Sequence, residues 1–109
     1  RAPDPSCNPY LAFAVMLAAG LDGIEKKIEP PMPVGENIYR MSESEKQQRG
    51  IKKLPANLKE ALAEAEKSEL VRSVLREQIM EKFMMLKERE WWEHITNVTE
   101  WERRKYENI

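Results

Sequence analysis

A mainly α-helical chain is what this sequence predicts, and three observations predict it. Helix-start signals recur along the chain: Asn8 before Pro9, Ser42 three residues before Glu45, Asn57 before Glu60, Ser68, and Thr99 before Glu102. Apolar residues return every three or four positions between these starts, and period-two alternation of the kind that marks strands is almost absent. Gly50 and the run Pro30, Pro31 and Pro33 fall between the periodic stretches, where helices stop.

The first helix is expected over about 9–28. Asn8 can accept from the free N–H groups of the first turn, and Pro9 fits a position whose N–H has no partner anyway. From Leu11 to Leu21 no side chain is polar. A helix that is apolar on every face is buried on every face. Gly20 and Gly23, near its end, would either let another backbone approach or let the helix stop. The three prolines then impose an extended connection, a long Pro-rich loop over 29–41.

Further helices are expected within 42–107. Ser42 and Glu45 open a short one that Gly50 closes. Leu58, Ala61, Leu62 and Ala65 mark one face of the next, ending near Lys67. Ser68 starts another, and Val71, Val74, Leu75, Ile79, Phe83 and Leu86 read as one continuous stripe to about Ile95. Glu81, Lys82, Lys87, Glu88 and Arg89 are assigned to its solvated side. Thr99 and Glu102 cap a last short helix carrying Trp101 and Tyr106, with Ile109 beyond.

This core does not balance. Two one-sided helices cannot surround one that needs cover all round, and 109 residues make at most one small domain. Trp91, Trp92 and Trp101 gather near the C-terminus, where large aromatics serve as interface anchors. Missing partners are inferred, either the rest of a larger domain or other subunits. The chain opens at Arg1 rather than Met, inside a proline-rich motif, which reads as a cut through a longer protein.

Composition narrows the function classes. Eighteen basic against nineteen acidic residues give a net charge of −1, so nothing electrostatic points to nucleic acid or to an anionic membrane. The apolar run is too short to span a bilayer, which takes about 20 residues. Cys7 is the only cysteine, so an internal disulfide is impossible and a reducing, cytoplasmic setting is expected. His94 is the only histidine and has no ligand-spaced companion. Glu88, Glu90 and Glu93 read as solvated helix carboxylates, Met80, Met84 and Met85 as soft filler, and Asn97-Val98-Thr99 as an accidental match to a glycosylation acceptor. No Gly-rich phosphate loop follows a strand. By composition and spacing, then, the chain has no catalytic residue and no metal site of its own.

The stretch from Arg1 to Ile24 changes that reading. An arginine two residues before Pro3-Asp4, then Asn8-Pro9-Tyr10-Leu11, then Ala19-Gly20-Leu21-Asp22-Gly23-Ile24, resembles the corresponding run of bacterial and archaeal type I glutamine synthetases. The similarity continues through Asn37-Ile38-Tyr39, Leu54-Pro55-Ala56, Glu81-Lys82-Phe83, Glu88-Arg89-Glu90-Trp91 and Val98-Thr99 with Trp101-Glu102. It covers essentially the whole chain, with specificity falling after Pro55. Trp92, where an acidic residue is usual, and Gln78, where a histidine is common, depart from the pattern.

The resemblance implies the helical C-terminal portion of an α+β catalytic domain. It implies an enzyme that joins glutamate and ammonia through γ-glutamyl phosphate, using ATP and Mg2+ or Mn2+. Those cofactors would be held by residues outside this chain, which alone is expected to be inactive. Arg1 maps onto the arginine that binds the glutamate carboxylate, a task suited to a planar, permanently charged guanidinium. Asp4, Asn8, Pro9 and Tyr10 map onto the turn from the catalytic strand into the first helix.

Tyr39 matches the tyrosine that some bacterial enzymes adenylylate. It is followed here by Arg40-Met41-Ser42-Glu43 rather than Asp-Leu-Pro-Pro, which resembles the class governed by feedback. The implied partners are the rest of the synthetase chain and further subunits, a homododecamer of two stacked six-fold rings. Two other readings stay open: a stand-alone helical interaction module, and a regulatory paralogue that joins an intact synthetase. The length and upstream sequence of the parent gene separate them.

Overall fold

The computed structural model describes residues 3–107, and among them the chain is helical with no strand. Five α-helices follow in order: α1 over Pro9–Glu25, α2 over Glu43–Gln48, α3 over Leu58–Lys67, α4 over Glu69–Ile95 and α5 over Glu100–Tyr106. A single 3-10 turn, Ile38–Arg40, interrupts the Pro-rich connection. The helix α4 is the spine, and both α1 and α3 pack against it.

Each start lies where the sequence places it. Asn8 accepts from the N–H groups of Tyr10 and Leu11 at 3.0 and 3.4 Å. Asn57 accepts from Glu60 at 2.9 Å, and Ser68 closes α3 while its hydroxyl accepts the Val71 N–H at 3.3 Å. Ser42 with Glu45, and Thr99 with Glu102, form complete capping boxes.

Three sequence expectations need correction. The first concerns the end of α1, expected near Ile28 but found at Glu25. Lys27 turns into the left-handed region with φ 51°, and the Ile28 N–H reaches back to the Gly23 carbonyl at 2.9 Å. Lys27 N–H bonds Ile24 at 3.2 Å, which completes a Schellman close that satisfies the last carbonyls. Gly50 does the same for α2 with φ 67°, its neighbour Ile51 bonding back to Lys46 at 2.9 Å.

The second correction concerns the α4 stripe. Arg76 has φ 56° and ψ 162°, which kinks the helix. Beyond the kink Ile79 and Leu86 are 47% and 54% exposed, while Met80 is buried and Phe83, Met84, Lys87 and Trp91 are half-buried. Positions 80, 84, 87 and 91 make a clean stripe at helical spacing, and it is out of phase with Val71, Val74 and Leu75 before the kink. The third follows from it: Lys87, assigned to the solvated side, lies on the inward one.

The core is small. Leu62, Leu75 and Met80 are the buried hydrophobic side chains, one from α3 and two from α4. No residue of α1 is buried within this chain. Leu11, Val15, Ala18 and Asp22 form its half-buried stripe. At 100° per residue, Phe13, Leu17, Gly20 and Ile24 point the other way. Phe13 and Ile24 are 68% and 75% exposed, and among the described residues nothing beyond the local helix backbone lies within 4 Å of a Cβ built on Gly20.

Candidate functional site

Arg1, the residue the sequence singles out for substrate, lies outside the described residues, as does Ile109. Residues 3–8, which lead into α1, form an elbow built from short-range bonds. The Asp4 carboxylate accepts the Ser6 N–H at 2.8 Å and the Ser6 hydroxyl as well. The Asp4 carbonyl accepts the Cys7 N–H at 3.0 Å. Asn8 then caps α1. The Ser6 hydroxyl, followed by its N–H, holds the Asp4 carboxyl below the usual carboxylate range.

Tyr39 sits on the 3-10 turn, its N–H bonded to the Asn37 side chain at 3.0 Å, and its side chain is 98% exposed. Ion pairs fasten the surrounding connection to α2. Arg49 grips Glu36 with two bonds of 3.0 and 3.2 Å. Glu43 takes Lys53 at 2.6 Å and Lys46 at 3.1 Å, and these ammonium groups, Lys53 first, lower its pKa. The result is a tyrosine displayed on a locally braced loop.

Many of the remaining charged side chains are engaged in local pairs or caps. Glu90 pairs with Lys87 at 2.7 Å, Glu93 with Arg89 at 2.8 Å and Glu100 with Arg104 at 3.2 Å. Glu45 and Glu102 are committed to their capping boxes. Asp22 holds Lys26 at 2.7 Å, which raises the lysine pKa. The His94 ring lies 6.3 Å from that of Trp91, in a tilted arrangement. Among the described residues no three His, Cys, Asp or Glu come together as a metal would require. The donor set of the described residues therefore does not by itself fit a divalent ion.

Large apolar surface is the other notable feature. Tyr10, Phe13, Leu17, Leu21 and Ile24 line the outer side of α1. At the far end Trp92, Val98, Trp101 and Tyr106 are exposed, with Lys105 Nζ 4.7 Å above the Trp101 ring. Sequence reasoning found both patches. It placed Asp4 in the turn into α1 but missed the bonds from Ser6 that close that turn, although an aspartate two residues before a serine, between prolines, is a recognisable turn signal.

The glutamine synthetase catalytic-domain model matches residues 1–106. The chain is 57% identical over 106 residues to the glutamine synthetase of Methanocaldococcus jannaschii, and 53% identical over 106 residues to that of Thermotoga maritima. It is also 43% identical over 106 residues to a protein of Methyloversatilis universalis named glutamate–methylamine ligase. These alignments cover 97% of the chain and 23%, 24% and 24% of the three relatives, so the chain spans about a quarter of their length. The all-helical described region, the capped α1 behind its proline elbow, and the match from Arg1 to Tyr106 agree: the chain belongs to the glutamine synthetase catalytic-domain family.

Proposed function

We propose that these residues serve a glutamine synthetase as the helical C-terminal part of its catalytic domain. The observation that carries this reading is α1. It is apolar on both sides, α4 covers one side, and the outer row from Tyr10 to Ile24 is left for protein that this chain does not contain. An exposed apolar row of this size marks an interaction surface. The covering surface in this reading is the rest of the catalytic domain, which also holds ATP and Mg2+ or Mn2+. No step through those groups is assigned to residues 3–107.

Arg1 supplies the glutamate contact, and the elbow joins it to α1. The exposed aromatic C-terminal end, with Trp101 and Tyr106, makes contacts between subunits of a ring assembly. Tyr39, displayed as it is, remains a regulatory position, with feedback control favoured by the residues that follow it. The setting proposed is the cytoplasm.

The test is an assay of the full-length protein with glutamate, ATP, Mg2+ and either ammonia or methylamine. ATP-dependent γ-glutamyl amide formation is expected, with ammonia the better amine. Arg1→Ala is expected to raise the glutamate KM by at least about 30-fold with little change in the ATP KM, because removing one partner of a desolvated charge pair costs about 2–5 kcal/mol. A full-length protein inactive with both amines overturns the reading. An unchanged glutamate KM removes Arg1 from the substrate site.

A further inference from the structure

The connection from α1 to α2 and the far end of the molecule carry complementary chemistry. Pro30, Pro31, Met32 and Pro33 run through an exposed stretch outside every helix. Residues 29–36 make no backbone–backbone hydrogen bond among the described residues. A Pro-rich run without internal bonds has the character of polyproline II, which turns once every three residues. Pro30 and Pro33 therefore share one face, and Met32 beside them is 87% exposed. Aromatic-lined grooves dock such segments, because their shape is set before binding and little entropy is lost.

The same chain carries clefts of that kind. Two of them, of about 410 and 400 Å3, adjoin at Glu102 on α5. Val98 and Tyr106 wall the first, and Ile95 and Trp101 the second, all four exposed. Adjoining pockets with an aromatic wall each suit a ligand that presents two prolines on one face. The charges match as well. Lys27 stands three residues before Pro30 and Glu29 directly before it, while Glu107 and Arg103 edge the first cleft. None of these four has an ion-pair partner among the described residues.

We propose that the Pro-rich connection of one copy docks in the α5 clefts of a second copy. Pro30 and Pro33 lie against Tyr106 and Trp101, Lys27 near Glu107 and Glu29 near Arg103. The proposal rests on the reading given above, in which the aromatic end joins subunits, and it names the surface which that end meets. A second copy fits because each copy carries both halves and leaves both exposed. A contact between two different surfaces of one chain repeats head to tail and can close a ring.

The experiment uses the full-length protein. Light scattering over a dilution series gives the concentration at which half of the assembly dissociates. Trp101→Ala is expected to raise it about tenfold, and so is the pair Pro30→Ala with Pro33→Ala, the loss typical of a truncated interface anchor. All three substitutions together should raise it by far less than about a hundredfold, because both variants remove the same contact.

If the full-length protein does not self-associate, or Trp101→Ala leaves assembly unchanged, the subunit reading fails and takes the proposal with it. If Trp101→Ala weakens assembly and the proline variant does not, the aromatic end docks elsewhere and the proposal alone is overturned. Fully additive effects overturn it too, since they mark two separate contacts. Disulfide trapping covers the case of a variant that misfolds. Copies carrying Met32→Cys and copies carrying Val98→Cys, all with Cys7→Ser, are co-expressed and oxidised. A link between the two kinds of copy, absent from either kind alone, is expected, and its absence overturns the proposal.

Discussion

At the scale of single residues, two backbone positions do work usually left to glycine. Lys27 closes α1 with φ 51° where Gly50 closes α2 with φ 67°. The left-handed region costs a residue with a Cβ about 1–2 kcal/mol, and here the satisfied carbonyls of Gly23 and Ile24 offset part of it. Arg76 is the more strained of the two, because φ 56° with ψ 162° lies in a region open essentially to glycine alone. Such a position costs about 1–3 kcal/mol, and the surrounding packing must hold it. The packing that holds it is Leu75 and Met80, buried on either side of the kink. Arg76→Gly is therefore expected to stabilise the full-length protein by about 1 kcal/mol, read as a higher urea midpoint at unchanged slope. Arg76→Ala keeps the Cβ and should gain nothing.

At the scale of elements, the short helices α2 and α5 depend on their caps. In both boxes a hydroxyl and an N–H bond one glutamate: Ser42 donates to Glu45 at 2.6 and 2.7 Å, and Thr99 to Glu102 at 2.7 and 2.7 Å. These donors, the hydroxyl foremost, hold both carboxyls below their ordinary value. A folded pKa below the unfolded value of about 4.3 means that the unfolded chain binds the proton more tightly. The boxes then stabilise fully above the unfolded pKa, and their contribution is lost as pH falls through the folded one. Helical circular dichroism is expected to stay level from about pH 7 to about pH 5 and to fall below about pH 4. Glu45→Gln with Glu102→Gln keeps the acceptors and removes the titration. A smaller acid-side loss in that double variant supports the assignment, and an identical loss refutes it.

At the scale of the whole molecule, the chain is too open to be self-sufficient. Its accessible surface is 10415 Å2, whereas a compact protein of 12.8 kDa exposes about 6,300 Å2. Its radius of gyration is 18.3 Å against about 13 Å expected for this length. The outer side of α1 and the aromatic end, where Trp101 is 63% exposed, contribute to that exposed surface. Burying one large aromatic contributes roughly 2–3 kcal/mol, repeated in every subunit if the proposed ring assembly forms. Deleting residues 99–109 from the full-length protein should thus reduce the assembled mass seen by light scattering, with activity per intact assembly retained. An assembly of unchanged mass that has lost glutamate affinity would instead assign this end to the active site.

Local sequence chemistry by itself determined the helix starts, since a cap needs only a side chain two or three residues from the N–H groups it satisfies. Asn8, Ser42, Asn57, Ser68 and Thr99 were all legible for that reason, as was the Pro-rich break. The motif from Arg1 to Ile24 carried the family without any structure. Tertiary structure decided what periodicity cannot. The stripe through Ile79 and Leu86 looked continuous because nothing in the residue Arg76 announces a positive φ. Only packing of α4 against α1 and α3 makes that strain tolerable, and the kink then turns Met80, Met84 and Trp91 inward in place of Ile79 and Leu86. The end of α1 escaped the sequence for a different reason: its closing bonds are local, but they need a lysine in a conformation usual for glycine, which the residue type does not announce.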